Sequence, residues 1–260
     1  MTAAEIRADI LNRLNQVELT HDVRILLAVE SGSRAWGFAS PNSDYDVRFI
    51  YVKNDKNWYL SVDLEDKRDV IEYPIVDDID LNGWDVRKAL KLFWKSNPTL
   101  TEWIQPSIIY KTSGSFLEKI NMLLPQIYSC EHGIHHYKSM AKTNYRGYLQ
   151  AELVPLKKYF YVLRPLLAVR WLEAYKTTAP IEFKKLLHLL EDQPFLLDEI
   201  NALLEKKKAV QELAKDKPIQ ALNAFIEVEL SRLENNLPEK SVIKGNMSDV
   251  NQLFLEILSE

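Results

Sequence analysis

Nothing in the 260-residue chain constrains its fold more than the segment from Val23 to Val52. It opens with "VRILLAVE", an apolar run of strand length, followed by a bare Gly32-Ser33 pair and the turn signal "SPNS". "DYDVRFIYV" then alternates, with β-branched and aromatic residues, as a second strand. Side chains on a strand have a period of two, so Asp44 and Asp46 share one face and Tyr45 takes the other. Two carboxylates held that close repel unless a cation lies between them or one is protonated. A hard divalent cation such as Mg²⁺ resolves the conflict through carboxylate oxygens and keeps positions open for phosphate. Two such ions, about 4 Å apart, can clamp the attacking and leaving oxygens of phosphoryl transfer. Gly32 allows a ligand close to the backbone, and Ser33 offers a hydroxyl and an N–H where "RAWGF" makes a short helical turn. Taken singly, the Gly-Ser pair is ordinary loop chemistry and "SPNSD" an ordinary turn; their combination between two strands points to a phosphate cradle facing a metal site.

Beyond this segment, "DVIEYPI" and "DIDLNGW" read as a third and a fourth strand, and "WDVRKALKLFWKS" as a helix stopped by Asn97-Pro98. After Tyr110 apolar residues recur at helical spacing to the end, interrupted by "SGS" at 113–115, by Pro180 and by "NNLPEK" at 235–240. The expected fold is therefore α+β. A mixed-sheet domain over residues 1–112 is followed by a mostly helical domain over 113–260, with the boundary somewhere in 110–130.

The Gly32-Ser33 pair followed by Asp44-Tyr45-Asp46 resembles the signature of the DNA polymerase β-like nucleotidyltransferase superfamily. "GSRAWGFASPNSDYDVRFIYV", "RDVIEYPI", "GWDVRKALKL" and "KKYFYVLRPLLAVRWLE" resemble, more narrowly, the predicted nucleotidyltransferases of the RNA-repair-pathway family. The resemblance implies a small mixed sheet backed by helices, two Mg²⁺ ions (or Mn²⁺), and transfer of a nucleoside monophosphate from an NTP to a hydroxyl. An RNA end is the expected acceptor. It also implies a third carboxylate on a neighbouring strand, for which Glu72, Asp77, Asp78, Asp80 and Asp85 are candidates. Asp80 is preferred because it is a lone acid in the apolar frame Ile79-Asp80-Leu81, with Glu72 the rival. Asp85 reads as helix first-turn charge. Asp44, Asp46 and Asp80 are thus the expected catalytic and metal-binding set.

Other residues are weaker candidates. Arg48 shares the strand face of Asp44 and Asp46, and Arg34 follows Ser33; both are expected near the nucleotide. "PLKKYFYVLRPLLAVRWLEAYK" is apolar nearly all round and reads as a buried helix, so Lys157, Lys158 and Arg164 on it need a partner, either a triphosphate or an acid. In "HHYKSMAKTNYRGYL", His135, Lys138, Lys142 and Arg146 fall within about 80° on a helix, with Tyr137, Met140, Ala141 and Tyr148 opposite. That stripe is either a solvated face or an acceptor-binding one. Cys130, His132, His135 and His136 lack the spacing of common zinc frameworks. "EKKKAVQELAKDK" reads as a solvated helix face, and "SDVNQLFLEIL" as a short docking helix.

Composition limits the alternatives. Apolar residues at 47% and charged residues at 27% suit a globular protein that stays out of the bilayer. No apolar run reaches the roughly 20 residues a membrane span needs. The acidic, amphipathic start "MTAAEIRADILNRL" is unlike a signal peptide, so a cytoplasmic location is expected. A net charge of −4 argues against non-specific nucleic-acid binding by the whole surface. Charge is unevenly spread, however: residues 1–110 carry 13 Lys/Arg against 18 Asp/Glu, and residues 135–176 carry 8 against 2. An acidic half joined to a basic segment suits a metal site facing an anionic substrate. Transfer to a small molecule or a protein hydroxyl is the alternative within the class. A catalytically silent module binding a nucleotide or a protein partner is the alternative outside it.

Overall fold

The computed structural model describes residues 2–209, 215–240 and 245–260. Helix α1 (Ala3–His21) is started by a reciprocal cap, in which Thr2 accepts from the Glu5 N–H while Glu5 accepts from the Thr2 N–H. Strands β1 (Val23–Glu30) and β2 (Tyr45–Lys53) follow, joined through the one-turn helix α2 (Gly32–Ala35). After β3 (Val70–Glu72) and β4 (Ile79–Asp85) come α3 (Val86–Trp94), α4 (Pro98–Ile104) and β5 (Ile109–Thr112). The five strands form one sheet in the order β3-β4-β2-β1-β5. Only the β2–β4 pair is parallel; β1–β2, β1–β5 and β3–β4 are antiparallel. The four expected strands are present to within a few residues, and β5 is a fifth that the sequence pattern did not single out.

Alternation on β2 decides what the sheet presents. Val47, Phe49 and Tyr51 pack with Ile10, Leu14 and Val17 of α1. Ile50 and Val52 point the other way, into a cluster with residues of α3 and α4. Asp46 and Arg48 have the parity of Ile50, so they lie on the face away from α1. On β4 the same parity puts Asp80 and Asn82 beside them, between Ile79 and Leu81 of the α1 cluster.

The remaining helices are α5 (Phe116–Ile127), α6 (Cys130–Tyr148), α7 (Lys158–Tyr175), α8 (Pro194–Ala209), α9 (Gln220–Asn235) and α10 (Met247–Ser259). A boundary at 112/113 does not follow the packing. Phe116, Ile120, Leu124 and Ile127 of α5 and Val250, Leu253 and Ile257 of α10 join the cluster on the sheet's second face. The C-terminal segment docks as expected, but onto the first unit, so the chain returns to the sheet after building the helical one. That helical unit centres on α7, eleven of whose residues are buried, packed by α6, α8, α9 and the 3₁₀ stretch Phe183–Leu190. Of "EKKKAVQELAKDK", residues 210–214 lie outside the described residues; within α8, Lys207 is buried rather than solvated.

The β1–β2 connection ties the two units together. Phe38, just past the Gly-Ser turn, is buried among the helices, with its ring 4.7 Å from Phe160 and 5.6 Å from Phe183. Beneath it lies a buried ion pair: Arg164 of α7 (2% exposed) donates to Glu102 of α4 (8% exposed) at 2.7 Å. Glu102 also accepts from the Trp36 indole at 3.3 Å, and the Arg164 guanidinium lies 4.8 Å from the Trp36 ring centre. The partner that Arg164 needed is thus an acid, not a phosphate.

Candidate active site

The local chain geometry brings Gly32 onto the acidic pair. Gly32 has φ +59°, the left-handed region that glycine enters without strain. A Cβ built there would collide with the Asp46 carboxylate. The Ser31 N–H donates to the Asp46 carbonyl at 2.8 Å, which pins the turn to the start of β2. The Gly-Ser turn and the acidic strand therefore touch, as the sequence spacing implied.

Asp46 and Asp80 are register partners on the parallel β2 and β4. Between their carboxylates sits Arg48, whose Nη2 donates to Asp80 Oδ2 at 2.6 Å and to Asp46 Oδ1 at 3.2 Å. Asn82 also donates to Asp80. Glu72 is opposite Asn82, one rung away, and is exposed with Arg68 as its partner at 2.7 Å. The carboxylate level with Asp46 is therefore Asp80. Asp85, by contrast, caps α3, accepting from the Arg87 N–H at 2.8 Å and the Tyr59 hydroxyl at 2.7 Å. Asp44 is exposed just before β2. Burial pushes the Asp46 carboxyl up, Arg48 pulls it down, and Asp80 and Asp44 push it up again.

These donors fit a hard divalent cation in kind, being carboxylate oxygens alone. Among the described residues, no three Asp, Glu, His or Cys side chains stand close enough to enclose a metal. Arg48 is the cation that neutralises Asp46 and Asp80 in this arrangement. Arg48 takes Oδ1 of Asp46, while Oδ2 of Asp46 faces Gly32 and the Asp44 carboxylate is exposed at the head of the strand.

Several expected contacts take other forms. Arg34, expected near the nucleotide, clips the loop: it donates to the carbonyls of Ser43 at 2.6 Å and Asp44 at 3.2 Å, and lies 3.7 Å over the Tyr45 ring. Lys158 is held between the rings of Tyr148 at 4.2 Å and Tyr161 at 4.4 Å. Tyr161 faces the acids, since burial and then Asp46 and Asp44 raise its phenol above the ordinary value. Helix α7 thus brings Tyr161 within electrostatic reach of the carboxylates, and Lys157 and Lys158 stand at its start. The stripe on α6 turns towards α9: Lys142 pairs with Glu234 at 2.6 Å, and Lys138 and Arg146 help hold the Glu234 carboxyl below its ordinary range. Tyr148, expected on the apolar side, is exposed and serves as one of the two rings around Lys158.

Glu30 escaped the sequence reading. It is 1% exposed behind the site, accepting from the Asp46 N–H at 2.8 Å and from the Tyr110 hydroxyl. Its signal was the one used for Asp80, a lone acid in an apolar strand. Burial pushes its carboxyl up to about 7. The folded state therefore holds this proton more tightly than the unfolded chain does. The resulting stabilisation is fully present below about pH 4.5 and is lost as pH rises through 7, an effect on the order of 3 kcal/mol. In metal-free buffer, Glu30→Gln is expected to match the wild type near pH 4.5 and to exceed its stability near pH 8. Urea unfolding at the two pH values reads the difference, and a variant with wild-type pH dependence would refute it.

The mixed sheet, with a Gly-Ser turn set against an acidic strand and a further carboxylate level on the adjacent parallel strand, is of the polymerase β-like nucleotidyltransferase class. The chain belongs to the RNA repair pathway DNA polymerase beta family, whose pattern matches it over residues 6–256. It is 44% identical over 252 residues, 96% of each chain, to the uncharacterized protein YcgL of Bacillus subtilis (strain 168). The crystal structure of a nucleotidyltransferase-like protein from Exiguobacterium sibiricum 255-15 covers 96% of this chain and 89% of its own, at 10% identity and a TM-score of 0.32. Nothing about the site follows from so distant a likeness. No helix among the described residues is long and apolar enough to cross a membrane.

Proposed function

We propose that the protein transfers a nucleoside monophosphate from an NTP to an acceptor hydroxyl, with an RNA end as the acceptor. The observation that carries this reading is the placement of Asp46 level with Asp80 on parallel strands, with Gly32 against the Asp46 carboxylate. Asp44 and Asp46 would hold Mg²⁺, and Asp80, paired with Arg48, would complete the acidic set. When bound, the divalent ions supply charge neutralisation for the phosphates and for the attacking and leaving oxygens. Gly32 and Ser33 admit the phosphates close to the backbone, with Lys157 and Lys158 flanking them from α7. The acceptor oxygen bonds to the α-phosphorus as the bond to pyrophosphate breaks, and the hydroxyl proton passes to Asp80. The RNA acceptor rests on the family's description and on the basic segment 135–176.

Screening the four NTPs for metal-dependent pyrophosphate release, with total RNA, protein and small hydroxyl compounds as acceptors, tests the reading. Release with RNA alone supports it; the absence of release with every acceptor defeats it. The α6 stripe tests the acceptor separately. Replacing Lys138, Lys142 and Arg146 together by Gln is expected to lower the slope of log affinity for RNA against log salt by about one unit per lost phosphate contact. Lys142 already has Glu234 as a partner, so a drop of about two units is expected. An unchanged slope in a fluorescence titration would remove the stripe from the acceptor site.

A further inference from the structure

The lysine run of α8 contains an anomaly. Leu196, Ile200, Leu203, Leu204 and Lys207 form the buried stripe of the helix, so Lys207 occupies a position of the apolar repeat. Its neighbours are exposed or half-buried and paired, Lys206 with Asp216 at 3.7 Å and Lys208 with Glu205 at 3.0 Å. Lys207 is 9% exposed, and among the described residues it has neither a hydrogen bond nor an ion pair. Its ammonium lies 5.5 Å from the ring centre of Phe38, whose N–H closes the Gly-Ser turn by donating to the Ser33 carbonyl at 3.0 Å. Burial, and then the positive charges of Lys157 and Arg34, pull its ammonium below the ordinary value. A buried cation facing other cations is unfavourable unless an anion joins them. Arg34 comes from the turn and Lys157 from the start of α7, so cations of three separate elements lie within electrostatic reach of one another at the turn that Phe38 closes.

We propose that Lys207, with Arg34 and Lys157, forms a phosphate-binding subsite beside the Gly-Ser turn. The ligand is a phosphate group, carried either on the polyphosphate tail of the NTP or on the phosphorylated end of the acceptor. The subsite rests on the nucleotidyl-transfer reading for its ligand class only. Its test runs without metal, so it can fail while transfer stands, and the reverse.

The probes are inorganic tripolyphosphate and a 5′-phosphorylated RNA oligonucleotide with its 5′-hydroxyl counterpart, titrated against the full chain in chelator. Lys207→Met keeps the length of the side chain and removes the charge. It is expected to melt no lower than the wild type without ligand and to bind a phosphate probe about tenfold more weakly, while Lys207→Arg stays within about threefold of the wild type. Loss confined to tripolyphosphate assigns the subsite to the NTP tail. Loss confined to the 5′-phosphorylated oligonucleotide, with the 5′-hydroxyl form unaffected, assigns it to the acceptor end. If wild type and Lys207→Met bind both probes equally, or the wild type binds neither, the proposal is overturned.

Discussion

Asp46→Asn is expected to reduce nucleotidyl transfer to background while leaving the protein folded. A neutral amide at this position cannot supply the anionic oxygen that a hard divalent ion requires. The apo protein should not suffer, because burial and the neighbouring Asp80 and Asp44 already oppose ionisation of Asp46. Arg48 would keep its closer partner, Asp80. Asp44→Asn is expected to behave in the same way. Asp80→Asn should lose transfer as completely but also cost about 1–3 kcal/mol of stability, since it strips the charge from the half-buried pair with Arg48. Glu72→Gln should stay close to wild type in both respects, its carboxylate being exposed on the edge strand. Pyrophosphate release and thermal melts with and without Mg²⁺ and NTP separate these outcomes. Wild-type activity of Asp46→Asn would sink the metal assignment, and a Glu72 variant worse than the Asp80 one would move the third carboxylate to β3.

Glu102→Ala is expected to destabilise the protein by about 3–5 kcal/mol, because it leaves Arg164 charged, buried and without its carboxylate. The Trp36 indole would lose its acceptor as well, and Trp36 lies three residues beyond Ser33. Transfer should therefore fall even at temperatures where the variant stays folded, through loosening of the turn rather than loss of a reacting group. Replacing both partners with apolar residues, Glu102→Leu with Arg164→Met, should recover most of the stability, since no unpaired charge remains. Urea midpoints for the two single variants and the double variant measure the coupling. Simple additivity would show that the pair is not the clasp between the two units.

What was legible in the sequence was local. The period-two alternation after Asp44 placed Asp46 and Arg48 on one strand face. The glycine at 32 announced a close approach, and the lone acid between Ile79 and Leu81 announced a carboxylate level with Asp46 on the adjoining strand. Each of these follows from backbone geometry within one element and its immediate turn. The same kind of signal lay at Glu30 and at Lys207. In both, a charged residue occupies a place in an apolar pattern, and the pattern is obscured because Glu30 ends a strand and Lys207 sits in a run of lysines.

Only the tertiary structure decided the pairings. Whether Arg164 meets a phosphate or an acid depends on α4, some sixty residues away in the chain. Whether Lys142 faces solvent or Glu234 depends on α9. The return of α10 to the sheet, which sets where the first unit ends, depends on which apolar face α5 leaves open. Periodicity states that a face will be covered and a charge will be answered, because burial without a partner is unfavourable. It does not state by what, because the partner is chosen by packing between elements that no local pattern connects.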